Sequence, residues 1–288
     1  MKKFVLLATL ALVPALALAQ SQDRYDPSQP ATRTVHPAAP LQVLGSPILL
    51  DQRASLINSP GTGPGGADES LLQNGMLAMT ILGFGHSTAS VNRVAEDFVV
   101  PPGGWVIDAI TTYAYQTGSA TTSTITGINF QIWNGRPGDP GATVVFGDTS
   151  TNRLTSTAFT NIYRGTETAP GATNRPIMSV EAAGLNLNLP AGTYWIDWAV
   201  TGSLASGPWA PPVTINGATA TGNGRQFDSG TTTWVDLMDV GQQGLPLTIT
   251  GATALVPDRP VPVNALWLLI ALVGGVLVVA AMSRRSVG

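Results

Sequence analysis

Ile128-Asn129-Phe130-Gln131-Ile132 alternates apolar and polar side chains, which puts Ile128, Phe130 and Ile132 on one face of an extended strand. Tyr194-Trp195-Ile196-Asp197-Trp198-Ala199-Val200 repeats the pattern: Tyr194, Ile196, Trp198 and Val200 share a face, and Trp195, Asp197 and Ala199 point the other way. Leu245, Leu247 and Ile249 alternate again. Working outward, the spacing predicts strands over 46–50, 94–100, 105–115, 126–133, 142–148, 159–164, 177–189, 193–200, 213–216, 225–228, 233–237 and 246–251. Between them lie turn clusters such as Asn134-Gly135-Arg136-Pro137-Gly138-Asp139-Pro140-Gly141, where Gly supplies positive φ and Pro fixes the bend. Residues 68–82 come nearest to helical spacing, and Gly75 weakens that reading. Short strands without crossover helices predict an all-β fold, a single jelly-roll-like β-sandwich over residues 46–252.

Composition narrows the function classes. Only 11% of the 288 residues are charged, and Gly (32) and Pro (22) are abundant. Setting aside Lys2, Lys3, Arg284 and Arg285 leaves ten arginines against 17 acids, a formal charge of −7 over the body. Nucleic-acid binding needs clustered Lys and Arg, so it is not expected. With no Cys, disulfide scaffolds, thiol nucleophiles and zinc–thiolate sites are excluded.

The two ends read as addresses. Lys2 and Lys3 precede an apolar stretch from Phe4 to Leu18, and Ala17-Leu18-Ala19 offers small residues to signal peptidase. Residues 1–19 are therefore expected to be a signal peptide, cut before Gln20. Residues 20–45 hold Pro27, Pro30, Pro37 and Pro40 among small polar residues and read as a linker, with His36 solvated in it. Ala265 to Met282 is uncharged, apolar and long enough to cross a bilayer as a helix. Arg284 and Arg285 follow it, which places them in the cytoplasm and the body outside. Residues 253–263 form a second linker, and residues 264–288 the helix and basic tail.

Val261-Pro262-Val263-Asn264-Ala265-Leu266-Trp267, then the apolar run, then the Arg pair, resembles the PEP-CTERM class of bacterial sorting signals in its IPTL-CTERM variant. Pro262 and Trp267 fall at the matching positions and Val261 stands for Ile, while residues 263–266 depart from the pattern. The resemblance implies a Gram-negative host, an exosortase-like membrane protease as partner, and delivery to the cell surface or exopolysaccharide. An ordinary tail anchor is the alternative.

Leu49-Leu50-Asp51-Gln52, Ala95-Glu96-Asp97-Phe98-Val99-Val100-Pro101 and Leu189-Pro190-Ala191-Gly192-Thr193-Tyr194-Trp195 together look like bacterial secreted modules of the choice-of-anchor kind. That resemblance spans about residues 46–252 and implies an anchored extracellular jelly roll with no catalytic residues to carry over.

Catalytic signals are sparse. Gly85-His86-Ser87-Thr88-Ala89 approaches a serine-hydrolase elbow, but no histidine follows Ser87 to serve as base. Glu96 and Asp97 are adjacent on a strand and so face opposite ways, and Asp236 and Asp239 flank a turn. Asp148-Thr149-Ser150-Thr151-Asn152 is oxygen-rich enough to raise calcium, though it lacks the EF-hand spacing. No catalytic residue and no metal ligand is expected. Six tryptophans occupy the body. Trp198 shares a face with Ile196 and is expected in the core. Trp195, alternating with Asp197, and Trp209, in Gly207-Pro208-Trp209-Ala210-Pro211-Pro212, are the two expected to present a ring for stacking on a carbohydrate. The expected function is an exported, non-catalytic surface module; a secreted hydrolase or a purely structural matrix protein are the alternatives.

Overall fold

A computed structural model describes residues 22–28 and 46–253, which fall within one compact unit ending at Thr253. The chain is all-β there, with 48% of residues in strands and only short 3-10 turns besides. In chain order the strands are β1 (Gln22–Arg24), β2 (Ile48–Asp51), β3 (Asp68–Leu72), β4 (Ile81–Gly85), β5 (Arg93–Val100), β6 (Trp105–Ala114), β7 (Ile125–Trp133) and β8 (Val144–Asp148). They continue with β9 (Ser156–Thr166), β10 (Pro176–Ala182), β11 (Leu187–Leu189), β12 (Gly192–Gly202), β13 (Trp209–Ala210), β14 (Arg225–Asp228), β15 (Thr233–Asp236) and β16 (Thr248–Thr253).

One sheet runs β15-β14-β5-β12-β7-β8, antiparallel throughout. The other runs β2-β16-β6-β10-β9-β3, with β11 beside β6 and β3 parallel to β9. Their inner faces share one core. β5 contributes Val94 and Phe98, β7 Ile128, Phe130 and Ile132, and β12 Tyr194, Ile196, Trp198 and Val200; opposite them stand Trp105, Ile107, Val180 and Ile249. Phe98 and Trp105 stack across the sheets, nearly parallel, with centroids 6.3 Å apart. Each fully buried large apolar side chain contributes about 1.5–3 kcal/mol, so this face of period-two alternation holds the sheets together.

A third, small sheet, β1-β4-β13, joins both large ones. A parallel bridge ties Ser87, just after β4, to Val200, and an antiparallel bridge ties Trp209 of β13 to Tyr115, just after β6. Outside the second large sheet, Leu56, Tyr113, Tyr115, Ile162, Ile177 and Trp209 form a separate core.

The structure departs from the sequence reading at five places. Residues 22–24, read as linker, form β1 against β4. The near-helical stretch 68–82 contains β3 and leads into β4, whose residues are all buried; strands covered on both faces lose the alternation that reveals them. The run 177–189 is two strands, split where Gly184 and Asn186 take positive φ. Residues 213–216 are not a strand, and β13, though two residues long, is one. Ala17, Ala19, Gln20 and His36 lie outside the described residues, as do Val261, Pro262, Trp267, Arg284 and Arg285. No helix among the described residues is long and apolar enough to cross a membrane.

Candidate functional site

The two tryptophans expected to be open are closed. Trp195 does lie on the outer face of β12, where alternation puts it, yet it is only 4% exposed. Its register partner on β7 is Trp133, and the Arg136 guanidinium of the β7–β8 turn sits 5.9 Å from its ring centre. Two residues on, Asp197 is fully buried on the same outer face. It takes an ion pair from Arg93 at 3.0 Å and a hydrogen bond from Trp133 Nε1 at 2.5 Å. Burial pushes its carboxyl up to about 6, against the pull of Arg93. Arg93 in turn lies over Phe227 and Trp234, 5.0 and 5.5 Å from their ring centres. The guanidiniums occupy the ring faces that a sugar would need. Trp209 is 6% exposed; it pairs with Gly85 in β4, and its Nε1 donates to Ser206 Oγ. The flanking Gly and Pro residues predict a ring held outward, but it packs into the second core. Trp198 is in the main core, as expected.

The catalytic candidates are engaged structurally. Ser87 Oγ accepts from Ala89 N at the start of a short 3-10 turn. His86 beside it is fully buried, and burial drops its imidazole to about 3, so it is neutral. Among the described residues neither ring nitrogen makes a hydrogen bond of acceptable geometry, and Ser87 Oγ is engaged by Ala89 N rather than by His86. Glu96 points inward, aligned with Val94 and Phe98, and accepts from Leu245 N. Burial pushes its carboxyl up to about 8, with the Leu245 N–H opposing. Asp236 is paired with Arg136 and Arg225, whereas Asp239 accepts from the amides of Thr80 and Ile81. The two carboxylates serve different partners. Asp148 accepts from the amides of Thr151 and Ser150, whose hydrogen bonds hold its carboxyl well below the usual range, and it also pairs with Arg153. The oxygen-rich loop 148–152 thus satisfies itself, and no cluster of three or more His, Cys, Asp or Glu able to hold a metal occurs among the described residues.

A wider hollow lies elsewhere among the described residues. A groove of about 470 Å³ runs between residues 23–27 and the turn joining β9 to β10. β1 forms its wall, registered on β4 with Gln22 opposite Phe84 and Asp23 opposite Gly83. Gly83 is needed there, because a Cβ would stand 2.5 Å from the Tyr115 hydroxyl. That gap lets Tyr115 donate to Asp23 Oδ2 at 2.8 Å, where Arg175 Nε also arrives at 3.1 Å. Burial, with the Asp23 charge adding, holds the Tyr115 phenol well above its ordinary value, so it remains a donor. Near this network Arg164 is fully buried, bonded to the carbonyls of Leu82, Ile81 and Ser70 and to two hydroxyls. Burial lowers it to about 10, which leaves it charged at neutral pH. Tyr25 packs against the Leu72–Met79–Leu82 cluster, and its hydroxyl is 3.3 Å from Thr168 Oγ1.

One polar group beside this groove is sealed in, and one on its wall has capacity to spare. Asn174 Oδ1 is buried without a hydrogen-bond partner among the described residues, a state that costs about 1–3 kcal/mol. Arg24 is exposed, donates only to Thr80 Oγ1, and takes part in no ion pair among the described residues. Sequence reasoning missed the whole site. Its only signal was the Asp23-Arg24-Tyr25 triplet, an aromatic between charges at the head of a segment otherwise small and polar.

These features define an all-β domain of two large sheets with a polar groove at its N-terminal strand. Comparison with family models, curated proteins and solved structures found no match to this chain.

Proposed function

We propose that this is an exported, non-catalytic surface module of jelly-roll type that binds carbohydrate. In this reading signal peptidase cuts after Ala19, and the segment Val261, Pro262, Trp267, Arg284 and Arg285 directs sorting by an exosortase-like membrane protease to the cell surface or exopolysaccharide. The observation that carries the non-catalytic reading is the engagement of Glu96, Asp236 and Asp239, three of the four carboxylates weighed for hydrolysis, together with Asp197. Glu96 sits in the core under Leu245 N, Asp197 is held between Arg93 and Trp133, and Asp236 and Asp239 are committed to separate partners. A glycosidase needs two carboxyl groups facing one substrate bond across a cleft. The groove, with a volume in the range of small-ligand sites, supports the binding half of the reading.

The export half is tested by intact-mass analysis of the chain recovered from the host envelope. The expected species begins at Gln20 and lacks residues 265–282; one that keeps Met1 or the apolar run refutes it. The non-catalytic half is tested on ester, peptide and glycoside panels. Turnover abolished by a single carboxylate substitution would overturn it.

A further inference from the structure

We infer that the groove between β1 and the β9–β10 turn is a binding site for uncharged oligosaccharides of about one or two rings; this rests on the carbohydrate reading above and places it away from the tryptophans. The first argument is charge. Asp23 and Asp26 face Arg24 and Arg175 around one hollow, and Asp23 and Arg175 already neutralise each other at 3.1 Å. An anionic or cationic ligand therefore meets its own sign as often as the opposite one. No net field selects it.

The second argument is hydrogen bonding. Carboxylates accept, guanidiniums donate, and the hydroxyls of Thr166 and Thr168 do both, Thr168 Oγ1 also accepting from Asn74 Nδ2. A sugar hydroxyl is likewise donor and acceptor at once, so a polyol uses the whole wall while a simple ion uses half of it. The exposed Arg24 guanidinium, which donates only to Thr80 Oγ1 among the described residues, gives such a hydroxyl a specific donor. A site built to bond hydroxyls discriminates strongly against ligands that lack them, because its own groups are otherwise left unpaired.

The third argument is shape. Pro27, Ala169 and Ala172 contribute apolar patches among the polar groups, matching the C–H faces of a pyranose. The volume of about 470 Å³ admits a short saccharide rather than a single ion. The floor is also rigid, since Tyr115 and Arg175 converge on Asp23 and fix β1 in place. Pre-organisation of this kind lowers the ordering cost of binding.

The test uses the full chain in phosphocholine micelles, followed by amide hydrogen exchange with mass spectrometry. Probes are maltose, cellobiose, lactose and diacetylchitobiose as neutral sugars, and digalacturonate and chitosan dimer as charged comparators. The expected result is slowed exchange at residues 22–28 and 165–175 with at least one neutral sugar and with neither charged one. Arg24→Ala should weaken that binding about tenfold. The wild-type map stands by itself even if this variant fails to fold. Stronger protection by a charged sugar overturns the inference. Protection confined to other residues overturns it while leaving the carbohydrate reading intact. No protection by any probe overturns both, and the mass analysis of the exported chain still decides the export reading separately.

Discussion

The outer face of the six-stranded sheet and the groove at β1 are built from similar materials and end in opposite states. The first gathers Trp133, Trp195, Phe227 and Trp234 with Arg93, Arg136 and Asp197. The second gathers Tyr25 and Tyr115 with Arg24, Arg175 and Asp23. On the sheet, the guanidiniums lie over the rings and Asp197 uses its oxygens on Arg93 and Trp133, so the surface closes on itself. At the groove, Asp23 and Arg175 neutralise each other and Asp26 accepts from Ser28, while Arg24 and the threonine hydroxyls line an open volume. An aromatic-rich strand face is thus a poor guide to a binding site until the long cations around it are placed. What decides is whether the polar groups have already found one another.

The largest expected effect breaks the closed side. Asp197→Ala leaves the Arg93 charge and the Trp133 N–H unpaired in a buried place, and should lower unfolding free energy by about 3–5 kcal/mol. Equilibrium urea unfolding at pH 7 measures this. A loss below about 1 kcal/mol would mean that the cluster does not hold the sheet face shut.

An effect of similar size concerns Glu96, on the inner side of the same sheet. Its folded pKa of about 8 lies above the ordinary 4.5, so the native state binds a proton that the unfolded chain has released. The contribution of this group to stability is therefore fully present below pH 4.5 and is lost as pH rises through 8. The decline attributable to it should be on the order of 5 kcal/mol. Glu96→Gln, which keeps an acceptor for Leu245 N, should flatten that part of the profile and be the more stable chain at pH 9. An unchanged slope between pH 5 and 9 would show that Glu96 ionises without cost.

The smallest stability effect lies on the open side. Asp23→Asn keeps an acceptor but removes the charge shared by Tyr115 and Arg175. It should cost about 1 kcal/mol and speed amide exchange in β4, the strand that β1 covers. No change in β4 exchange would mean that β1 is not fixed by this network.

The same contrast shows which parts could be read in advance. β7 and β12 were legible because each buries one face against the other sheet, which writes a period of two into Ile128–Ile132 and Tyr194–Val200. β3 and β4 were not, because Leu71, Leu72, Ile81 and Leu82 are covered on both sides and leave no polar phase. β1 was hidden because Gln22-Asp23-Arg24 has no apolar residue to alternate; it gains order from Asp23 meeting Tyr115 and Arg175, residues far away in sequence. Alternation placed Trp195 correctly on the outer face but said nothing of what covers it. The cover is Arg136, in a turn that sequence marks only by Gly and Pro. Contacts between distant segments made the difference each time, and no local pattern encodes them.

The central claim is that ligand is taken at the groove and not at the tryptophan face. The direct measurement is the affinity of the full chain for the neutral disaccharide that protects residues 165–175, compared between Arg24→Ala and Trp195→Phe. The predicted result is about tenfold weaker binding in the first and unchanged binding in the second. Weakened binding in Trp195→Phe, with Arg24→Ala unaffected, would contradict it.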